Sequence, residues 1–409
     1  MSLLSSSKID KSKARIVFFI GNSNNEIARI AYELSKSIDN PINLILIQKE
    51  SLNDPMCLPY YSELKQRIKI LDFRFEFRDL FKFLKLVCYI NFKIPKNSII
   101  IMNSFAPGMV LRRNSDKIFI STGTDITTYG NWKWAQQINS ANNSNCSNLS
   151  LGIRVLRSIF VYLQRSNIKQ SMVIVRPEIS RDSTYNHVFE KLYNNDQIKL
   201  SFQFSQLKNI SLTPNANRAD YPIRFLIGCR LDDGLEYSQS IRTNFNDKNP
   251  YAIYEAISRF NPKYPVEILY IRKGNWVSKF DKLSPLSPLI SLKSFEEMPY
   301  SSFIQTMQSV DVVIDSIGPS IPGRVSIDAL ALNKLLIVNK TNFILNDDFA
   351  EHIFHAENQG DLIDVFYKLM NSNIIEHREK CAHDLNFQNI FHNSSFNYFI
   401  TLIVKLAKS

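Results

Sequence analysis

A chain of 409 residues with 44% hydrophobic side chains can bury a large core, and its length favours two domains over one. Five scattered cysteines (Cys57, Cys88, Cys146, Cys229, Cys381) show neither metal-type nor redox-type spacing, which fits a reducing compartment; His352 and His355 could share a helix face, but no HExxH accompanies them and no metal site is expected. The net charge of +11 points to nucleic acid or an anionic membrane as a partner, and the absence of any recognised nucleic-acid motif leaves the membrane.

The N-terminus, MSLLSSSKIDKSKARIVFFIG, lacks the order of a signal peptide, because lysines separate its weakly apolar start from the first strand. No run of about 18 apolar residues follows anywhere, so the expectation is a cytoplasmic protein with no bilayer span. ARIVFFIG reads as a strand, EIARIAYELSKSI as a helix and INLILIQ as a second strand. The stretch 64–96 holds nine Lys/Arg against three Asp/Glu, six of the eleven excess positive charges, with aromatics between them. Within it Phe77, Leu80, Phe81, Leu84 and Val87 or Cys88 fall at helical spacing, with Arg78, Lys82 and Lys85 toward the other side. Such a helix either turns its apolar stripe into the core or rests on the inner face of an anionic membrane.

NSIIIMNS, KIFISTG and SMVIVRP follow as strands, interrupted by a polar tract from about 136 to 152 that reads as a mobile insertion or a lid. Continuous rather than alternating apolar runs mark strands buried on both faces, hence parallel sheets with crossover helices: an α/β fold. The pattern pauses over polar residues 200–222, then restarts. IRFLIGCR, VEILYI, DVVIDSIG and KLLIVN read as strands, with NPYAIYEAISRF, SSFIQTMQSV and VSIDALAL as the helices between them. Two doubly wound sheets in tandem are expected, in domains 1–215 and 216–390, with a C-terminal helix in 391–409 docking against one of them.

Only 11 glycines occur, and Gly21, Gly123, Gly228, Gly274 and Gly318 each stand at or near the end of an expected strand. Ligands of open parallel sheets bind beyond the carboxyl ends of the strands, so a cleft between two such lips is the default binding site. After DVVID, the turn SIGPSIPGR supplies Gly318, Gly323 and Ser320, a candidate N-cap, and a helix begins. Amides at a helix start attract anions. Arg324 at that start opposes the macrodipole, so it serves either an anionic ligand or a neighbouring carboxylate; Asp328, one turn on, could accept from a ribose.

The segment SFIQTMQSVDVVIDSIGPSIPGRVSIDALALNKLLIVN resembles the donor-binding signature of GT-B glycosyltransferases, especially glycosyltransferase family 4. There a helix leads into an Ala-Asp-x-x-x-Asp strand, a glycine loop and Glu-Ala-Met-Ala-x-Gly-Lys-Pro. FLIGCRLDDG…DKNPYAIYEAI resembles the element such enzymes place on the donor diphosphate, and KIFISTGTDITTYG resembles their His-Gly-Ser-Asp turn facing the cleft. The resemblance implies two Rossmann-like domains around an inter-domain cleft, and transfer of a sugar from a nucleotide-sugar donor to a glycan or lipid-linked acceptor. Configuration would be retained and no metal or cofactor held.

The same resemblance puts Arg230 and Lys248 on the leaving diphosphate, as catalytic cations. Gly318, Ser320, Gly323, Arg324 and Asp328 fall on the donor, with Asp328 toward ribose. Gly21, Asn22, Thr122 and Gly123 fall on the acceptor side, and Asp125 is either a catalytic cleft residue or a helix cap. Ser320 stands where the family has its first Glu, Thr122 where it has His, and Asn333-Lys334-Leu335 replaces Gly-Lys-Pro. Asn is the next-best residue after Gly for the left-handed position that ends a helix. The alternatives are a sugar-nucleotide epimerase of the same fold or a non-catalytic nucleotide- or sugar-binding relative.

Overall fold

A computed structural model describes residues 15–22, 26–48, 61–74, 80–111, 115–121, 151–176, 192–193, 196–201, 222–231, 248–318, 324–339, 352–371 and 394–408. The tract 136–150 and the pause at 202–221 lie outside them.

Seven parallel strands form the first sheet: β1 (Val17–Asn22), β2 (Ile42–Gln48), β3 (Lys69–Arg74), β4 (Ile99–Asn103), β5 (Asp116–Ile120), β6 (Val173–Arg176) and β7 (Ile198–Ser201). Their order is β3-β2-β1-β4-β5-β6-β7. The second sheet holds β8 (Ile223–Ile227), β9 (Val266–Ile271), β10 (Ile290–Phe295), β11 (Val312–Ile314), β12 (Leu335–Val338) and β13 (Ile353–His355), all parallel, in the order β10-β9-β8-β11-β12-β13. Both sheets are therefore doubly wound, and in each the strand order reverses between its first and fourth members. His352 and His355 bracket an edge strand and do not share a helix face.

The continuous apolar strands are buried on both sides, as β4, β11 and β12 are at every position. On one side of the first sheet, α1 (Glu26–Ser35) and α2 (Tyr61–Arg67) bury Ile27, Ala31, Leu34 and Leu64 against Phe19 and Leu44. The other side receives α3 (Leu80–Phe92) and, through Phe160, α4 (Leu151–Gln170). The core face of α3 is Phe83, Leu86, Val87 and Ile90; Leu84 and Cys88 are exposed, so the expected stripe is split. A nearly all-apolar segment offers two faces of helical spacing, and the sheet takes the one carrying Leu86 and Ile90.

Among the described residues of the second half the helices before the last are α5 (Pro250–Arg259), a short α6 (Val277–Phe280), α7 (Tyr300–Gln308), α8 (Arg324–Ala331) and α9 (Gln359–Asn371). Asn333 closes α8 with φ of 57°, the left-handed conformation expected of it, and Lys334 reaches back to the carbonyls of Gln308 and Val310, both at 2.8 Å. The last helix, α10 (Ser394–Lys408), returns to the first sheet. Phe396, Phe399, Ile403 and Ala407 join the core of Val17 and Phe19, and Asn40 Nδ2 donates to the Ala407 carbonyl at 3.0 Å.

Candidate active site

The second sheet's switch point lies between β8 and β11, whose registers pair Ile227 with Ile314. Beyond it Gly228 donates its amide to the Ile314 carbonyl at 2.9 Å, which places Gly228–Arg230 beside Asp315–Gly318 at the carboxyl edge. Gly228 is required by close approach: a Cβ there would stand 2.5 Å from Cγ1 of Val325, the second residue of α8. The glycine thus lets the helix start press against the strand end. Arg230 projects from that edge as an exposed side chain.

The stretch after β11 is pinned by side chains. Asn339 Nδ2 donates to the Ile317 carbonyl at 2.8 Å, and Ser316 Oγ donates to the Gly318 carbonyl at 3.2 Å. Ser326, in the first turn of α8, donates its hydroxyl to buried Asp315, tying the end of the strand to the start of the helix. Asp311, at the other end of β11, accepts from the Arg224 amide at 2.8 Å. The two aspartates of DVVID are therefore structural brackets around a three-residue strand.

Arg324 and Asp328 meet one turn apart on α8, Nε to Oδ2 at 3.4 Å. The Tyr300 hydroxyl also donates to Asp328 Oδ2, at 2.8 Å, and its ring carries the Arg324 guanidinium 4.2 Å from its centroid. Burial, and after it the Asp328 charge, holds the Tyr300 hydroxyl well above the usual tyrosine range, so it stays a donor. Asp328 is fully buried in this cluster. Lys248 stands immediately ahead of α5; Asn249 caps that helix with φ of 49° and accepts from the Ala252 amide at 3.2 Å, with Pro250 at the first helical position.

At the first sheet's switch point, between β1 and β4, Gly21 and Asn22 end β1. A Cβ on Gly21 would fall 1.6 Å from Asn103 Oδ1, so Asn103, fully buried at the end of β4, occupies the space a side chain would need. The following turn, 106–109, is stapled from α4. Gln164 accepts from the Gly108 amide and donates to the Ser104 carbonyl, both at 2.7 Å, and Asn167 donates to the carbonyls of Pro107 and Val110 at 2.8 and 2.7 Å.

No family model matches the chain, and no curated protein matches its sequence. Solved structures do match. The sucrose-phosphate synthase of Thermosynechococcus elongatus superposes with a TM-score of 0.59 at 11% identity, over 96% of this chain and 99% of that one. The UDP-GlcNAc 2-epimerase of Neisseria meningitidis gives 0.54 at 16% identity, over 96% and 100%. WaaG, a glycosyltransferase involved in lipopolysaccharide biosynthesis, gives 0.54 at 9% identity, over 93% and 98%. The chain has the GT-B fold. At these identities the likeness is one of architecture.

Within this GT-B chain, topology brings Arg230, Lys248, Gly318, Arg324 and Asp328 to the carboxyl edge of the second sheet, at strand ends and helix starts. Gly21 and Asn22 hold the equivalent place on the first. Thr122, Gly123, Asp125, Ser320 and Gly323 lie outside the described residues. Tyr300, Asp315, Ser326 and Asn339 were not singled out in the sequence. Tyr300 lies 28 residues from Asp328, and nothing local marks it. Asp315 had one signal, its position four residues after Asp311 across an apolar strand.

Proposed function

We propose that this protein is a retaining glycosyltransferase, hexosyl- or related, which moves a sugar from a nucleotide-sugar donor to a glycan or lipid-linked acceptor, as surface-polysaccharide assembly requires. The observation that carries this reading is the second switch point: two cations, Arg230 and Lys248, and the start of α8 all belong to one sheet edge beyond β8 and β11. A diphosphate is a ligand whose charge such an edge suits.

In the reaction the bond from the anomeric carbon to the diphosphate oxygen breaks as the acceptor oxygen bonds to that carbon. The acceptor proton departs with the nucleoside diphosphate. Negative charge grows on the leaving group, where Arg230 and Lys248 stabilise it without a metal, and the nucleotide sugar enters as substrate with no further cofactor. Gly318, Ser320 and Gly323 would bring backbone amides to the donor, and Arg324 a third cation. Asp328 is assigned to ribose, in an orientation set by Tyr300 and Arg324. Gly21, Asn22, Thr122, Gly123 and Asp125 would face the acceptor. The reading places the protein in the cytoplasm, peripheral on the inner face of the membrane through the basic stretch 64–96.

The test is nucleotide release from a panel of nucleotide sugars, with and without candidate acceptors. Replacing Arg230 or Lys248 by Ala is expected to lower transfer by about a hundredfold or more, by analogy with a lost oxyanion donor. Loss of affinity with no turnover to lose would indicate a binding protein, and donor conversion without acceptor an epimerase.

A further inference from the structure

Helix α4 is built inside out. Its inward stripe carries Gln164 and Asn167 as well as Val161 and Ile168, and the two side-chain amides bond to the Gly108 amide and to the carbonyls of Ser104, Pro107 and Val110. Val155, Ile159 and Tyr162, at i, i+4 and i+7, share the opposite stripe, and their exposures are 49%, 48% and 57%. A water-facing helix of a soluble domain ordinarily shows the reverse pattern. The neighbouring helix does the same: Leu84, Cys88 and Phe92 lie exposed at i, i+4 and i+8 while Leu86 and Ile90 are buried. The two helices meet through Phe83 and Phe160, with ring centroids 6.5 Å apart, on the same side of the first sheet.

The charge of this layer is one-sided. Leu80–Phe92 and Leu151–Gln170 contain six Lys/Arg and no Asp or Glu. Lys85, Lys93, Lys96 and Lys169 are exposed on it or directly beside it. A second copy of the same face would bring like charges together across a two-fold axis, which disfavours self-association. Apolar side chains flanked by lysines, without carboxylates, complement the headgroups and acyl boundary of an anionic bilayer. Among the described residues no helix is long and apolar enough to cross one.

We infer that α4, together with the outer face of α3, is a membrane-docking surface, on which Val155, Ile159 and Tyr162 enter the interface of an anionic lipid bilayer and Lys85 and Lys169 contact its headgroups. This deepens the peripheral-membrane part of the proposed function and rests on it, but puts the main apolar anchor on α4, outside the stretch 64–96 to which α3 belongs.

The experiment is co-sedimentation of the full chain with phosphatidylglycerol-containing vesicles and with pure phosphatidylcholine vesicles. Wild type is expected on the anionic vesicles only. The pair Ile159→Ser and Tyr162→Ser is expected to reduce partitioning about tenfold or more, from the apolar surface no longer transferred. Tyr162→Trp should show a blue-shifted emission on anionic vesicles, a readout that does not depend on the serine pair folding. If wild type ignores anionic vesicles, the peripheral reading fails and this inference with it. If wild type binds while the serine pair binds equally and the Trp emission does not move, the inference alone is overturned. Equal binding to neutral vesicles, or a wild-type dimer that the serine pair dissociates, would also overturn it.

Discussion

The hydroxyl of Tyr300 and the carboxylate of Asp328 meet at 2.8 Å beneath the start of α8, with the guanidinium of Arg324 resting on the same tyrosine ring. The helix start that bears the candidate anion ligand is thereby fixed from within. One buried carboxylate holds both a phenol and a cation, so the three side chains act as a unit.

Removing Asp328 should therefore cost more than removing the hydroxyl that binds it. Asp328→Ala leaves the Tyr300 hydroxyl and the Arg324 charge without their buried acceptor, at about 3 kcal/mol or more of stability. Tyr300→Phe keeps the ring under Arg324 and loses one hydrogen bond, about 1 to 2 kcal/mol. Urea denaturation of the two variants gives the comparison, and equal losses would contradict the shared-acceptor picture.

Gly228→Ala should be destabilising by about 1 to 3 kcal/mol, because its methyl would meet the stiff β-branched Val325 at 2.5 Å. Val325→Ala in the same chain should recover most of that loss. A double-mutant cycle read by thermal denaturation measures the coupling, and additivity would show that the two do not meet.

Those contacts mark what was legible in the sequence. Strands buried on both faces announced themselves as unbroken apolar runs, so β1, β2, β4 and β9 could be read directly. Lys69–Arg74 and Ile290–Phe295 mix charged or polar residues into edge strands and carry no such run. The C-terminal helix was visible as a helix, but its return to the first sheet is a long-range choice made by Phe396, Phe399 and Ile403 joining that sheet's core. The positions of Gly21 and Gly228 at strand ends were readable because a strand end is a local feature. Tyr300 and Asn339 were not, since each acts on a partner more than 20 residues away. The inverted polarity of α4 went unread for a related reason: its amides answer backbone groups 56 to 60 residues earlier in the chain.

Alkaline stability should depend on Tyr270. Burial, and then its hydrogen bond to Asp281, pushes this phenol up to about 12 from an ordinary 10.0. The folded protein holds that proton where the unfolded chain has released it. The stabilising contribution is thus complete below pH 10 and is lost as the pH rises toward 12. Unfolding free energies measured across that range should fall with pH in wild type and fall less steeply in Tyr270→Phe; parallel slopes would refute the assignment.

The central claim is that the second sheet's switch point receives a nucleoside diphosphate, and a crystal structure of the chain soaked with a panel of nucleoside diphosphates tests it most directly. The account predicts phosphate density at the carboxyl ends of β8 and β11, within hydrogen-bonding reach of Arg230 or Lys248 and close to the start of α8. Density at the ends of β1 and β4 instead, or a bound nucleotide whose phosphates avoid both cations, would contradict it.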